Sequence, residues 1–181
     1  PEVGAAVVAT LRRAIPTAVM AVDFDRHFAR EPGWQVREYM RNREFLVAPA
    51  EELVRRPVCK ILARIDDADP DDLVSIVQGS LGELATATSS TSWGLVEISA
   101  AGVTKGSGLQ RYADEIGVDA SEVVAIGDMP NDHPMLKWAG CAVAVANAHP
   151  GLLAAADIVT ARNEDDGVAL VIESLLEAPY C

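Results

Sequence analysis

Val123-Val-Ala-Ile-Gly-Asp-Met-Pro-Asn-Asp-His-Pro-Met-Leu136 decides how this chain folds. Four apolar residues run into Gly127, and two carboxylates, Asp128 and Asp132, stand four positions apart around Asn131. The apolar run has strand length, and the pattern beyond Pro130 is helical until Gly140 interrupts it. The reading is a strand over residues 123–126 whose tip feeds a helix over 131–138. A carboxylate at such a tip is open to a ligand, yet the sheet fixes it in place.

The same rhythm continues on both sides. A helix over Lys105–Ile116 precedes the strand and stops at Gly117. A strand over Cys141–Val145, a short helix from Pro150, a strand over 157–160 and a last helix over 165–176 come after it. Strands and helices alternating at this pitch predict βαβ units and a parallel sheet. Ligands in such sheets sit at the C-terminal ends of strands, which is where Asp128 and Asn147 fall.

The first hundred residues read differently. A helix over 2–14 and a strand over 17–24 come first, then a strand over 57–64. Asp69-Pro70 opens a further helix, with proline in its first turn. Two β-rich segments, 84–90 and 93–99, are separated by serine and threonine turn chemistry. This half is expected to be an α+β unit with an antiparallel sheet, so the chain divides into residues 1–100 and 101–181. Residues 30–45 are dense in arginine and glutamate and read as a solvated hairpin turning at Pro32-Gly33. A set of substrate contacts from Arg30, Trp34, Arg37 and Tyr39 is the alternative.

Half of the 181 residues are apolar, enough for a substantial core, and the formal net charge is −12. That charge argues against nucleic acid or an anionic membrane as partner, because both demand basic patches. The longest apolar run falls well short of a membrane span. No basic stretch resembling the start of a secretory signal opens the chain. Pro1 is not an initiator methionine, which fits a processed, truncated or cloned chain. The three cysteines, Cys59, Cys141 and Cys181, form no Cys-x-x-Cys pair and no zinc spacing with the three histidines. Reduced thiols and a cytoplasmic location are expected.

Magnesium takes one or two protein carboxylates, with water and phosphate oxygens completing its shell. Asp128 suits such an ion, and Asp132 suits it directly or through water. The same residues also fit a plain turn, with Asn131 or Asp132 capping a helix. Lys105 stands at a helix start beside Gly106 and Gly108, so its ammonium and the free helix N–H groups would face an anion together. No Gly-Lys-Ser/Thr occurs, so this is not a P-loop; a solvated lysine is the alternative. Asn147 either touches a phosphate, holds Lys105 in place, or simply forms the turn ahead of Pro150. His133 and His149 read as turn or surface groups.

Gly102-Val-Thr-Lys-Gly, Gly127-Asp-x-x-Asn-Asp-x-x-Met-Leu and Val145-Ala-Asn-Ala, in this order, resemble the C-terminal half of haloacid-dehalogenase-like phosphatases of the Cof-type branch. The resemblance is specific from about Trp93 to Gly167. Over residues 1–92 it is looser and looks like the mobile cap of that branch, inserted between two halves of the catalytic core. It implies an α/β fold: half of a parallel-sheet, Rossmann-like core joined to an α+β cap. It also implies a magnesium-dependent hydrolase of small phosphorylated metabolites, such as sugar phosphates, working through an aspartyl-phosphate. By resemblance, Lys105 neutralises the nucleophile and phosphate, Asp128 is a metal ligand, and Asp132 is the supporting acidic residue of the same motif. Asn131 and Asn147 become phosphate-side groups.

One departure is large. The family opens with an Asp-x-Asp-Gly-Thr strand that supplies the nucleophile, and none precedes the cap here. Val22-Asp23-Phe24-Asp25 comes nearest, but Arg26-His27 replace the Gly-Thr and the segment lies inside the cap-like half. Asp23 and Asp25 are therefore read as structural or surface groups. The expectation is a cap plus the C-terminal part of a core, with the nucleophile elsewhere. The isolated chain would be inactive, and missing N-terminal strands or another chain would cover the core edge. A phosphotransferase or mutase with the same site, and a non-catalytic metal- or phosphate-binding module, remain as further readings.

Overall fold

The computed structural model describes residues 1–24, 27–36, 44–91 and 93–177. The chain divides into two compact units, Pro1–Val103 and Thr104–Cys181.

The first unit runs α1 (Glu2–Ala14), β1 (Val19–Phe24), β2 (His27–Arg30), β3 (Leu46–Val47), α2 (Ala50–Leu53), β4 (Lys60–Arg64), α3 (Pro70–Leu81), β5 (Ala85–Thr88) and β6 (Leu95–Ala100). Its sheet has the order β3-β2-β1-β4-β6-β5. Helical spacing decides which residues α1 and α3 bury: Val7, Val8 and Leu11 on one, Leu73, Val77 and Leu81 on the other. These pack with Met20 and Val22, Ile61 and Ala63, and Val96 and Ile98, the same face of three adjacent strands. Fully burying one such leucine, valine or methionine stabilises by roughly 1.5–3 kcal/mol. The start of α3 is fixed by Asp69, whose side chain accepts the N–H groups of Asp71 and Asp72 at 3.0 Å. The opposite face of the sheet carries a smaller cluster of Ala21, Leu62 and Leu95 with Phe28, Trp34 and Trp93 against it.

The sheet is mixed rather than purely antiparallel, because β2 and β3 pair in parallel. Residues 31–45 between them give the length that a parallel return requires. Within the expected solvated hairpin, Glu31 is buried and acts as an internal tie. Its Oε2 accepts the N–H of Met20 at 2.8 Å, and its Oε1 accepts the N–H of Ala50 at 3.0 Å together with the Arg12 guanidinium. Those partners offset the cost of burying its charge. Trp34 packs edge-on to Phe28 at 5.9 Å, and Arg30 donates to the carbonyls of Glu31 and Trp34. Both are thus engaged within the sheet and its flank. Arg37, Tyr39 and Asp25 lie outside the described residues. Pro1 at one end of this unit, and Ser99 and Ala100 near the other, line a single hollow. The two ends of the unit therefore adjoin.

The second unit runs α4 (Lys105–Ile116), β7 (Val124–Gly127), α5 (His133–Trp138), β8 (Cys141–Val145), α6 (Pro150–Leu153), β9 (Ile158–Thr160) and α7 (Gly167–Glu177). Short 3-10 turns over Ala120–Glu122, Pro130–Asp132 and Asn163–Asp165 sit between them. The three strands form a parallel sheet in the order β7-β8-β9. The expected helix over 131–138 is thus split into a 3-10 turn and a shorter α5. Pro134 lacks the N–H that would bond the carbonyl of Pro130 and carry one helix across the junction. The last helix begins at Gly167 rather than 165, because Asp166 takes a left-handed conformation (φ 58°).

Ala125, Leu136, Ala142, Ala144, Val145 and Leu152 form the core of this unit, with Leu109, Ile126 and Met135 packed against it. A second apolar surface stays open. Ile158, Val159, Leu170 and Leu175 are each about half exposed, and Leu176 is 70% exposed. Among the described helices none is long and apolar enough to cross a membrane.

Candidate active site

Gly127 ends β7 and leaves room for the turn beyond it. A Cβ at this position would lie 2.6 Å from the Asp132 Cβ and 3.0 Å from its carboxyl carbon. Glycine lets the 3-10 turn fold Asp132 back beneath the strand tip. There Asp132 Oδ2 accepts the N–H groups of Asp128 at 3.0 Å and Met129 at 3.1 Å. Its Oδ1 lies 2.5 Å from the Lys105 ammonium. The side chain of Asp132 is 3% exposed and that of Lys105 is 48% exposed. Burial alone pushes the Asp132 carboxyl up. The lysine and the two amides outweigh that and hold it below the usual carboxylate value.

Lys105 owes its place to the start of α4. Thr104 caps the helix through a reciprocal bond with Ser107: its hydroxyl accepts the Ser107 N–H at 3.0 Å, and Ser107 Oγ accepts the Thr104 N–H at 2.9 Å. The cap fixes the first turn and so the direction in which the lysine leaves it.

Asp128 is exposed at the strand tip. Its carboxyl is pushed above the ordinary value by loss of water around it, then by the negative charge of Asp132, with Lys105 partly opposing. Its backbone carbonyl accepts the N–H of His149 at 2.8 Å, which ties the loop after β8 to the loop after β7. The His149 ring caps α6 by accepting the Gly151 N–H at 3.2 Å, a turn role. His133 is exposed at the start of α5. Asn131 is 7% exposed, and its Oδ1 has no hydrogen-bond partner among the described residues. Asn147 does not hold Lys105. Its amide donates to Asn163 Oδ1 at 2.6 Å, and its Oδ1 accepts the Asn163 N–H at 3.0 Å. Asn163, in the 3-10 turn after β9, is a partner that strand periodicity alone does not reveal.

Among the described residues no three His, Cys, Asp or Glu side chains converge as a metal cage. A magnesium ion does not need one: a single carboxylate, with water and substrate oxygens, is an ordinary protein contribution. Asp128 fits that part. Asp132 has both oxygens already engaged, and the orphaned Oδ1 of Asn131 leaves an acceptor in reserve beside it.

The residues Ala18–Ile172 match the family model of haloacid dehalogenase-like hydrolases. The chain belongs to that family. A phosphoglycolate phosphatase of Halorubrum lacusprofundi is 34% identical over 161 residues, covering 88% of this chain and 62% of that protein. The 5-amino-6-(5-phospho-D-ribitylamino)uracil phosphatase YitU of Bacillus subtilis is 43% identical over 77 residues, 42% of this chain and 28% of that one. Among solved structures, SMU.1108c from Streptococcus mutans superposes with a TM-score of 0.84 at 22% identity, over 98% of this chain and 68% of its own. That likeness bears on the fold, and the α/β class is the one expected. The matched part spans 28% to 37% of the length of three curated relatives.

Proposed function

We propose that these residues form part of a magnesium-dependent phosphomonoesterase for small phosphorylated metabolites, with an aspartyl-phosphate intermediate on a nucleophile outside this chain. One observation carries the reading. A lysine ammonium from the start of α4 is anchored on a buried carboxylate, and the turn that carries this carboxylate follows a strand tip with an exposed one. Phosphoryl transfer depends mostly on positioning and electrostatics, and this arrangement provides both signs of charge for it. Lys105 faces the transferring group as a cation. Asp132 aims it, and Asp128 supplies the carboxylate for the ion. Asn131 and Asn147 lie on the phosphate side. Bound magnesium would supply charge neutralisation for the phosphoryl oxygens.

The first unit takes the place of a cap and the second that of the C-terminal part of a core. The open apolar surface at Ile158, Val159, Leu170 and Leu175 supports a core completed by further strands or another chain. The free thiols of Cys59 and Cys141 fit a reducing compartment, and we place the enzyme in the cytoplasm.

The test is to assay a complete protein with a generic aryl phosphate while titrating magnesium, then trap the phosphoenzyme with a fluoride analogue and map it. Magnesium-dependent turnover with the label outside residues 1–181 is expected. A label on Asp23, or full turnover by the 181-residue chain alone, would defeat the proposal.

A further inference from the structure

We infer that Gly106 is a positioning residue: the lack of a side chain there sets the distance between the Lys105 ammonium and the Asp132 carboxylate. Gly106 follows the lysine directly and is buried in the first turn of α4. A Cβ built on it would meet the carbonyl carbon and oxygen of Pro134 at 2.6 Å, and the Pro134 Cβ at 2.9 Å. Two of these three obstacles are backbone atoms of α5, which have no rotamer to escape into. Pro134 lies two residues beyond Asp132. One contact between helices therefore registers both members of the ion pair, each close to it in sequence.

The geometry has a magnitude. Ordinary contact begins at 3.4 Å, so an alanine at 106 requires α4 to retreat by about 0.8 Å from the 2.6 Å approach. The pair at 2.5 Å would then stand near or beyond about 3.2 Å, the outer range of a sound hydrogen bond. Gly108 supplies the comparison within the same helix, because a Cβ there meets nothing within 4 Å. Glycine weakens a helix interior relative to alanine. At 108 nothing in the packing requires it, whereas at 106 the packing does.

A catalytic consequence of this register rests on the function proposed above, but the distance itself does not. The test therefore reads the distance. Lysine amines of the chain, of Gly106→Ala, of Gly108→Ala and of Asp132→Asn are trace-labelled with acetic anhydride, and Lys105 is quantified by mass spectrometry against exposed Lys137. Hydrogen exchange across α4 reports whether that helix stays folded. Gly106→Ala and Asp132→Asn should each raise Lys105 labelling several-fold, with Gly108→Ala at the parent rate. If the flexible lysine stem takes up the shift, Gly106→Ala labels like the parent and the inference is wrong. It is equally wrong if Asp132→Asn leaves labelling unchanged, since the pair then does not shield the amine. Complete loss of α4 protection in Gly106→Ala also counts against it, because residue 106 would then hold the unit together rather than set a distance. Failure of the phosphatase reading leaves all of these outcomes intact.

Discussion

Asp132 holds Lys105: the two are 27 residues apart in sequence and meet at 2.5 Å. The same carboxylate closes the turn that carries Asp128, so the pair joins the start of one helix to the tip of one strand. Asp132→Ala should therefore lower stability on several counts, leaving two amides and an ammonium without their acceptor. Each lost partner costs about 1–3 kcal/mol when buried and less when solvent can replace it. Asp132→Asn keeps an acceptor for the amides and should cost less. Urea midpoints compare the two, and equal midpoints would remove the amide bonds from the account.

Asp128→Ala should abolish magnesium-dependent turnover of the complete enzyme and leave the fold intact. The motive is an exposed carboxylate at a strand tip beside a lysine that another residue already neutralises. Steady-state rates across a magnesium titration check it, with circular dichroism for the fold. Unchanged turnover at saturating magnesium would remove Asp128 from the site.

Asp23 gives a pH prediction in the first unit. Its carboxyl is raised by desolvation first, with Lys60 opposing and Glu97 adding to the rise. Glu97 is itself held by Lys60 at 2.6 Å and by the Ser90 hydroxyl. A carboxyl raised in the folded state releases its proton sooner when unfolded. Its ionisation thus costs stability as pH climbs from the unfolded value of about 3.9 through the folded one, and the cost persists above. Asp23→Asn should stabilise at neutral pH, with the benefit fading below about pH 4. Thermal midpoints across that range decide. A variant less stable at pH 7 would show that Lys60 gains more from Asp23 than burial costs.

Edge exposure gives a prediction for the second unit. Among the described residues strand β7 pairs with β8 alone, whereas β4 lies between β1 and β6. Unpaired strand edges are open to water or to another chain. In dilute solution the amides of Val124–Gly127 should exchange faster than those of Lys60–Arg64. Equal protection in a proven monomer would mean that the second unit is self-sufficient and that no further strands complete it.

Much of the second unit is legible in its residues alone. Helix α4 is legible to the residue, because Gly117 and a helical run of polar and apolar positions bound it. Strand β8 is too, from five consecutive small or apolar positions. Motif picks out the lysine and the paired aspartates, but not their mutual arrangement. Which acceptor a lysine finds depends on the packing of α4 against α5, and a sequence records that packing only as an unexplained glycine. Strands β2 and β3 are hidden for a different reason. Their segment is rich in charge, and its buried carboxylate Glu31 looks like any solvated glutamate until its three donors are seen. The Asn147–Asn163 tie is equally hidden, since reciprocal amide bonds between two strand ends leave no periodic trace.

The hollow shared by Pro1, Ser99 and Ala100 also bears on descent. A compact body whose ends adjoin can be spliced into a loop of another protein, or out of it, with little disturbance to either partner. Exchange of such a body would leave the Lys105–Asp132 pair, which lies wholly within the second unit, unchanged in sequence.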